Sequence, residues 1–222
     1  YHGNYLYNKL INLGAECYSL PLISIEENKE KILDNLENYK VILFCSVNGV
    51  NAFINKIEDL RILNNIKIGF DLNGSFCTFK KSIEQLKKIA KQKAEIIPIM
   101  SYNSYNLDTK FGKAEDFIKE IEEITGHKII NTIQGAEPIG PKHLTDIMII
   151  APASGNTMAK LANDIIDTPA VMAAKSHLRN ENPLVIAPST NNGLSGNAMN
   201  IAKLLNMRNY YFVPFKQDNP IT

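Results

Sequence analysis

The chain has 222 residues, with 24 lysines and arginines against 23 aspartates and glutamates, and a formal net charge of +1. This length suffices for one large domain or a domain with a further fragment, and the nearly neutral charge argues against nucleic acid or an anionic membrane surface as a partner. No apolar run approaches the roughly 20 residues of a membrane span, and the first residues lack the pattern of a signal peptide, so we expect a cytoplasmic protein without membrane association.

Residues 1–64 have the pattern of a partial α/β unit. A strand that ends near Pro21 is followed by a charged amphipathic helix over Glu26–Asn38 and a buried strand over Val41–Cys45. A polar turn at Ser46–Gly49 then leads into a second helix, residues 50–57. This alternation of strand and helix is typical of parallel α/β folds.

The alternation restarts at Ile66 and continues to Pro214, which predicts a second unit over residues 65–222. Apolar runs predict strands over Ile66–Phe70, Glu95–Met100, Ile147–Ala151, Leu184–Ala187 and Tyr210–Pro214, with a short strand or edge over Lys128–Thr132. Helical periodicity predicts helices over Phe76–Lys93, Lys113–Thr125, Met158–Ile165, Pro169–Arg179 and Asn197–Leu205, and loops over Ser101–Phe111 and Gln134–Lys142. We therefore expect a flavodoxin-like doubly wound parallel sheet of about five strands, in a Rossmann-like three-layer α/β arrangement.

Three polar turns each follow a predicted strand and open a predicted helix: Asp71–Ser75, Ser154–Thr157 and Ser189–Asn192. In open parallel sheets ligands bind at this edge, where glycine permits close approach of the backbone and a helix N-terminus favours a phosphate. The candidate binding residues are Gly74, Ser75, Ser101, Ser154, Gly155, Asn156, Thr157, Ser189, Thr190 and Asn191. Together they suit a phosphorylated cofactor such as FMN, although each turn is also an ordinary helix N-cap.

Other site types have little support in the sequence. The dinucleotide-binding and Walker motifs are absent, and the three cysteines, Cys17, Cys45 and Cys77, form no CxxC pair and are expected to be small buried residues. Of the four histidines, His127, His143 and His177 have no metal-ligand spacing and are expected at the surface. We predict no metal site and identify no catalytic residue.

Five stretches of the second unit resemble the B subunits of dipicolinate synthase, which are small flavoprotein-like chains of spore-forming bacteria. The stretches are Ile68–Phe79, Asp108–Phe117, Ile121–Lys142, Ile149–Asn180 and Ser189–Pro220. Pro152–Thr157 is also similar to the Pro-Ala-Ser-Ala-Asn-Thr motif of FMN-dependent cysteine decarboxylases, with Gly155 in place of the second alanine. The resemblance implies an FMN phosphate near Gly74 and Ser75 and a flavin ring near Ser154–Thr157.

The resemblance also implies a function in sporulation. The chain would help to oxidise a dihydrodipicolinate-type precursor, a small dicarboxylate, to dipicolinic acid in the cytoplasm of the mother cell. Its partner would be the A subunit of dipicolinate synthase, which resembles an NAD(P)-binding dehydrogenase, so that NAD(P) would act only through that partner; we also expect a homo-oligomer. Decarboxylation is not expected, because the catalytic histidine of the decarboxylases has no counterpart and their Pro-x-Met-Asn motif is replaced from Pro188 onward. The alternative is a non-catalytic module that binds FMN or substrate.

The first unit resembles part of uroporphyrinogen-III synthase. The similar stretches are Leu13–Ile25 and Ile42–Phe53, the second of which contains a Ser-x-Asn-Gly-Val helix start. The Thr-Arg-Pro strand and the second domain of that family are missing from this chain. We therefore expect residues 1–64 to be a partial or fused remnant, and uroporphyrinogen-III synthase activity is the less favoured alternative function.

Overall fold

The computed structural model describes residues 65–215, with Asn12 as one further isolated position. The predictions made for the first unit, including those for Cys17 and Cys45, lie outside the described residues. None of the helices within residues 65–215 is long and apolar enough to cross a membrane.

In the described part of the chain, five parallel strands form one sheet in the order β2-β1-β3-β4-β5. The strands are β1 (Lys67–Leu72), β2 (Glu95–Met100), β3 (Ile147–Ala153), β4 (Leu184–Pro188) and β5 (Tyr210–Phe212). Within residues 65–215, the path begins in the middle of the sheet at β1, moves outward to β2, and then crosses back to β3 before it continues outward on the other side. This is the flavodoxin-like strand order, so the predicted fold class is confirmed.

Seven α-helices in residues 65–215 connect or flank these strands: α1 (Phe79–Lys91), α2 (Tyr102–Asn106), α3 (Ala114–Thr125), α4 (Ile133–Ala136), α5 (Gly155–Ala162), α6 (Pro169–Leu178) and α7 (Ala198–Leu205). Short 3₁₀ turns precede α1 at Phe76–Thr78 and follow α4 at Glu137–Ile139. Both faces of the sheet are therefore covered by helices, as an all-parallel sheet requires.

Two apolar clusters lie on the two faces of the sheet. On one face, Phe70 and Leu72 of β1 pack with Phe79 of α1, whose ring makes an edge-to-face contact with Phe117 of α3 at a centroid distance of 5.4 Å. On the other face, alternate residues of β3, such as Met148, pack against α4 to α7. The alternation follows from the two-residue period of a strand, and it produces the predicted three layers.

Several local predictions were wrong in detail. Asp71 and Leu72 were predicted in a turn but belong to β1, where Asp71 pairs in register with Ile99 of β2 and Ile150 of β3. The predicted loop Ser101–Phe111 contains α2, because the Ser101 hydroxyl accepts a hydrogen bond from the Ser104 N–H at 3.3 Å and caps a helix too short to show a hydrophobic period.

The loop predicted before β3 is also partly helical. Thr132 caps α4 by accepting a hydrogen bond from the Gly135 N–H at 3.0 Å. Just before that cap, Ile130 makes an isolated parallel bridge with Ile99, so residues 128–132 lie at the edge of the sheet and do not form a sixth strand there.

Candidate functional site

The three polar turns predicted from the sequence meet at the carboxyl edge of the sheet. The turn after β1 is joined to the end of β3, since the Asn73 N–H donates to the Pro152 carbonyl at 3.2 Å. The end of β3 is joined in turn to the start of the turn after β4, because the Ser189 N–H donates to the Ala153 carbonyl at 2.9 Å. The edge between β1 and β3 is the point at which the strand order reverses, and ligands of doubly wound sheets bind there.

A cleft of about 780 Å³ lies among these turns. It is lined by Ser75, Cys77, Thr78, Lys81, Ser154, Gly155, Asn156, Pro188, Ser189, Thr190, Asn191, Asn192 and Asn197. The volume is within the range of roughly 300–1,000 Å³ that is usual for small-molecule sites. Many of the lining residues carry hydroxyl or carboxamide groups, so the cleft offers many hydrogen bonds beside a comparable amount of apolar surface.

Most of the predicted binding residues line the cleft, and three lie behind it. Gly74 donates its N–H to the Ser104 hydroxyl at 2.9 Å, and that hydroxyl is also 2.9 Å from the Ser101 hydroxyl. Thr157 is buried, with its N–H 3.3 Å and its hydroxyl 3.0 Å from the Ser154 hydroxyl. Gly74, Ser101 and Thr157 therefore support the lining residues from behind.

The turn after β1 is tied to the turn after β4 by a chain of hydroxyl groups. Ser75 has a left-handed backbone (φ 48°), and its hydroxyl donates to the Ser189 carbonyl at 2.5 Å. Thr78 donates its hydroxyl to the Ser75 carbonyl at 2.8 Å and lies 3.0 Å from the Ser189 hydroxyl. Because Thr78 is the donor to Ser75, Ser189 is the donor in the Thr78 contact. This side of the cleft is therefore already held in place in the structure.

Gly74 brings the turn after β1 close to the start of α5. Its φ is +45°, a conformation that side-chain-bearing residues rarely adopt, and a Cβ at this position would lie 3.2 Å from the Ser154 Cβ. Ser154 is the N-cap of α5. The first N–H groups of a helix have no partner within the helix, and they carry its positive dipole end, so the start of α5 provides a favourable environment for a negatively charged or electron-rich group.

Lys81 is the single formally charged side chain among the lining residues that the structure describes. It lies in the first turn of α1, about one helical turn beyond Cys77 and Thr78, which brings the three to the same side. These three residues and Asn197 were not among the predicted binding residues, because the candidates were drawn from the turns and not from the helices that follow. Asn192 belongs to the predicted turn Ser189–Asn192 but was not among the candidates either. The spacing of Lys81 from the Gly74–Ser75 turn was the available signal.

Two expectations about single residues were wrong. Cys77 is exposed at the cleft and is not a buried apolar residue. His177 is fully buried in α6, with its Nδ1 2.7 Å from the Thr145 hydroxyl and its Nε2 2.9 Å from the Pro183 carbonyl. Burial lowers the pKa of His177, so its ring is neutral at pH 7, and it serves the packing of α6 away from the cleft.

A buried polar pair lies at the end of β1, directly before the turn that contributes to the cleft. The Asn73 Nδ2 donates to the Asp71 Oδ2 at 2.8 Å, and both side chains are almost completely buried. The Oδ1 atoms of Asp71 and Asn73 have no hydrogen-bond partner within the part of the chain that the structure describes. Burial, only partly offset by the Asn73 hydrogen bond, raises the pKa of Asp71 to about 8, so the carboxyl group is mainly protonated at pH 7.

Comparison with known proteins identifies the relatives of the chain. A family model described as Flavoprotein matches residues 56–221, and a model described as Uroporphyrinogen-III synthase HemD matches residues 6–70. The B subunit of dipicolinate synthase of Bacillus subtilis (strain 168) is 42% identical over 158 residues, which are 71% of this chain and 79% of that protein.

Solved structures give the same result. The B subunit of dipicolinate synthase from Bacillus halodurans C is 40% identical in sequence. Its structure matches this one with a TM-score of 0.65, and the match covers 72% of this chain and 82% of that chain. The FMN-dependent cysteine decarboxylase SpaF is 22% identical in sequence, and its structure matches with a TM-score of 0.57 over 70% of this chain and 87% of that chain. This similarity concerns the fold alone. The chain therefore belongs to the flavoprotein family, within which it resembles the B subunits of dipicolinate synthase, as the sequence motifs predict.

Proposed function

We propose that this chain acts as the B subunit of dipicolinate synthase and binds FMN in the cleft between the turns after β1, β3 and β4. The observation that carries the proposal is the cleft itself. It joins hydroxyl and carboxamide groups, one lysine and the N-terminus of α5 at the reversal point of the strand order, in a chain that is 42% identical to a B subunit of dipicolinate synthase. An enzyme-related role follows from that relationship.

The residues of the cleft fit a flavin mononucleotide in their chemistry. Ser75, Thr78 and Lys81 would hold the phosphate, since hydroxyl groups and a lysine ammonium are hydrogen-bond donors to phosphate oxygens. The hydroxyl hydrogens of Ser75 and Thr78 are donated to protein carbonyl groups, so they would exchange partners on binding while Lys81 supplies the charge.

The start of α5 would face the polar edge of the flavin ring. Gly155 and Asn156 line the cleft there, and Ser154 caps the helix behind them. A bound flavin supplies hydride and electron transfer, while these residues bind and orient it. The FMN dependence of SpaF, which shares the fold, supports this assignment.

We also propose that the chain works together with a different protein chain. The two dipicolinate synthase relatives are B subunits by name, and such a name implies that the synthase contains at least one other chain. Among the described lining residues, Lys81 and Cys77 are the ionisable side chains, and there is no carboxylate, histidine or tyrosine to transfer protons. In this proposal an NAD(P)-binding A subunit supplies the remaining groups, and the complex oxidises a dihydrodipicolinate-type dicarboxylate to dipicolinic acid in the cytoplasm of the sporulating mother cell. A homo-oligomer of this chain is part of the same proposal.

The alternative is a non-catalytic module that holds FMN or substrate for its partner. It is favoured by the same lack of proton-transferring groups in the described lining. Asn156→Ala separates the two functions: loss of dipicolinate formation by the complex supports a role in catalysis, whereas unchanged formation supports the module. Uroporphyrinogen-III synthase activity stays the less favoured alternative, since the HemD model matches residues 6–70 alone.

The proposal is tested by reconstitution. Purified chain is titrated with FMN and the flavin absorbance band is followed; the chain is then combined with the A subunit, and dipicolinate is measured with NAD(P) as the electron acceptor. We expect saturable FMN binding, and dipicolinate formation that requires both chains. Formation at the same rate without this chain would contradict the proposed function, and an absence of flavin binding would contradict the cofactor assignment.

A further inference from the structure

The loop between β4 and α7 is folded around one side chain, Asn192. The Asn192 Oδ1 accepts hydrogen bonds from the Thr190 hydroxyl at 2.5 Å and from the Asn197 Nδ2 at 2.8 Å. Its carbonyl oxygen also accepts the Asn197 N–H at 3.0 Å. These bonds join the first and last parts of the loop, residues 189–197, and they hold one wall of the cleft.

Asn197 is the buried end of this arrangement, with 7% of its surface exposed. Its Nδ2 donates to Asn192, and its Oδ1 accepts from the Asn200 Nδ2 at 3.0 Å. Because a carboxamide has separate donor and acceptor ends, the two bonds define its orientation. Asn197 therefore contributes to the wall by holding Asn192.

Gly155, the first residue of α5, lies directly beneath this carboxamide. A Cβ on Gly155 would be 2.5 Å from the Asn197 Nδ2 and 3.0 Å from the Thr190 hydroxyl oxygen. Gly155 does not have a positive φ, so alanine can adopt its backbone conformation. The requirement for glycine is therefore one of space, and Asn197 is the side chain that occupies that space.

We infer that Asn197 is a positioning residue of the cleft. Its side chain occupies the space left by Gly155 and thereby holds the loop 189–197 against the start of α5. The interlocked pair thereby sets the distance between two walls of the cleft. The pair thus deepens the proposed function, on which it rests for the identity of the ligand: it holds the Thr190 hydroxyl and the Asn192 carboxamide in the place where they line the cleft.

The test is a double-mutant cycle in the full chain, with FMN titration as one measurement. Asn197→Ala removes the support of Asn192, and Gly155→Ala pushes the carboxamide outward, so each raises the Kd for FMN about tenfold. In the double variant, the methyl group added at position 155 enters the space that the Asn197 side chain has vacated. The Kd of the double variant for FMN should therefore stay within about threefold of the Kd of the single variant that binds FMN more weakly. Independent effects would instead multiply to about a hundredfold, and that outcome overturns the inference.

Two further measurements need no flavin and keep this test separate from that of the cofactor. Limited proteolysis within residues 189–197 is expected to accelerate in both single variants, while the midpoint of thermal unfolding changes non-additively in the double variant. Asn163→Ala is the matched control, because Asn163 lies at the exposed far end of the same asparagine chain, 3.5 Å from the Asn200 Oδ1. Its FMN affinity and loop cleavage should equal those of the parent chain.

The outcomes can be told apart. If the parent chain does not bind FMN but the two sites are coupled in proteolysis and unfolding, the cofactor assignment fails and the interlock stands. If Gly155→Ala does not fold, recovery of folded protein on adding Asn197→Ala supports the interlock, and no recovery overturns it. Additive effects in all three measurements overturn it as well.

Discussion

The protonated carboxyl group of Asp71 makes the stability of the fold depend on pH in a defined direction. Asp71 is buried in β1 with one hydrogen bond, and burial raises its pKa from the ordinary value of 3.8 to about 8. In the folded protein it holds a proton at pH 7, and in the unfolded chain it is ionised. The folded state therefore binds more protons than the unfolded state between about pH 4 and 8, so the free energy of unfolding falls as the pH rises through this window.

The size of this effect follows from the two pKa values. Each pH unit between them lowers the free energy of unfolding by about 1.36 kcal/mol, which gives about 4 kcal/mol at pH 7 relative to pH below about 4. Asp71→Asn substitutes a group of similar shape that is neutral at every pH. It adds one N–H to a buried position, at a cost of about 1–3 kcal/mol if that N–H finds no acceptor, although the unpartnered Asn73 Oδ1 is a neighbouring acceptor. We expect the variant to be more stable than the parent at pH 7 by about 1–4 kcal/mol.

The assay is urea unfolding followed by circular dichroism at pH 4 to 8.5, with the unfolding free energy from the linear extrapolation. The quantity of interest is the difference between variant and parent, since other groups titrate equally in both. This difference should increase with pH and level off above pH 8. Asp116→Asn, on the exposed face of α3, is the control and should leave the parent's slope unchanged. A difference that does not vary with pH, or a variant less stable than the parent at pH 8, would refute the reasoning.

The cleft and the domain division give three further predictions. Lys81→Ala should weaken FMN binding by about tenfold and reduce its salt dependence. Lys80 lies next to Lys81 but outside the cleft, so Lys80→Ala should leave FMN binding unchanged. Equal effects of the two variants in calorimetric titrations would contradict a phosphate contact of Lys81. Gly74→Ala should lower the unfolding free energy by about 1–2 kcal/mol, because alanine is strained at its φ of +45°; an unchanged thermal midpoint would count against this. We propose that residues 1–64 and 65–222 are separate units. Limited proteolysis within residues 58–66 should then leave a stable fragment that begins near Asn65. Progressive degradation without such a fragment would argue for a single unit.

The elements of the sheet were largely predictable from local signals in the sequence. The strand Glu95–Met100 was predicted with its observed bounds, because its apolar run is bounded by polar residues. The end of α3 was predicted at Thr125, where it is observed; the next residue, Gly126, adopts the left-handed conformation that glycine favours, with φ 72°. The strand–turn–helix pattern also indicated which three turns meet at one edge, since the carboxyl ends of parallel strands all lie on the same side of a sheet.

Other features depend on residues that are distant in sequence. Asp71 has a low preference for strands, and its place in β1 follows from pairing with β2 and β3 on either side. His177 was expected at the surface, and it is buried because its two ring nitrogens find partners in Thr145 and Pro183. No local pattern reveals such partners, since they are brought together only by packing.

The fold class, the family and the three turns of the candidate site could be inferred without coordinates, because periodicity, turn residues and motifs are local properties of the chain. Which side chains face the cleft, and which support it from behind, became known from the packed molecule alone. Gly74 and Gly155 show the difference: both are turn glycines in the sequence, but one is required by its backbone conformation and the other by the carboxamide of Asn197 above it. That distinction depends on the distance between residues far apart along the chain, which the packing of α5 and α7 against the sheet establishes.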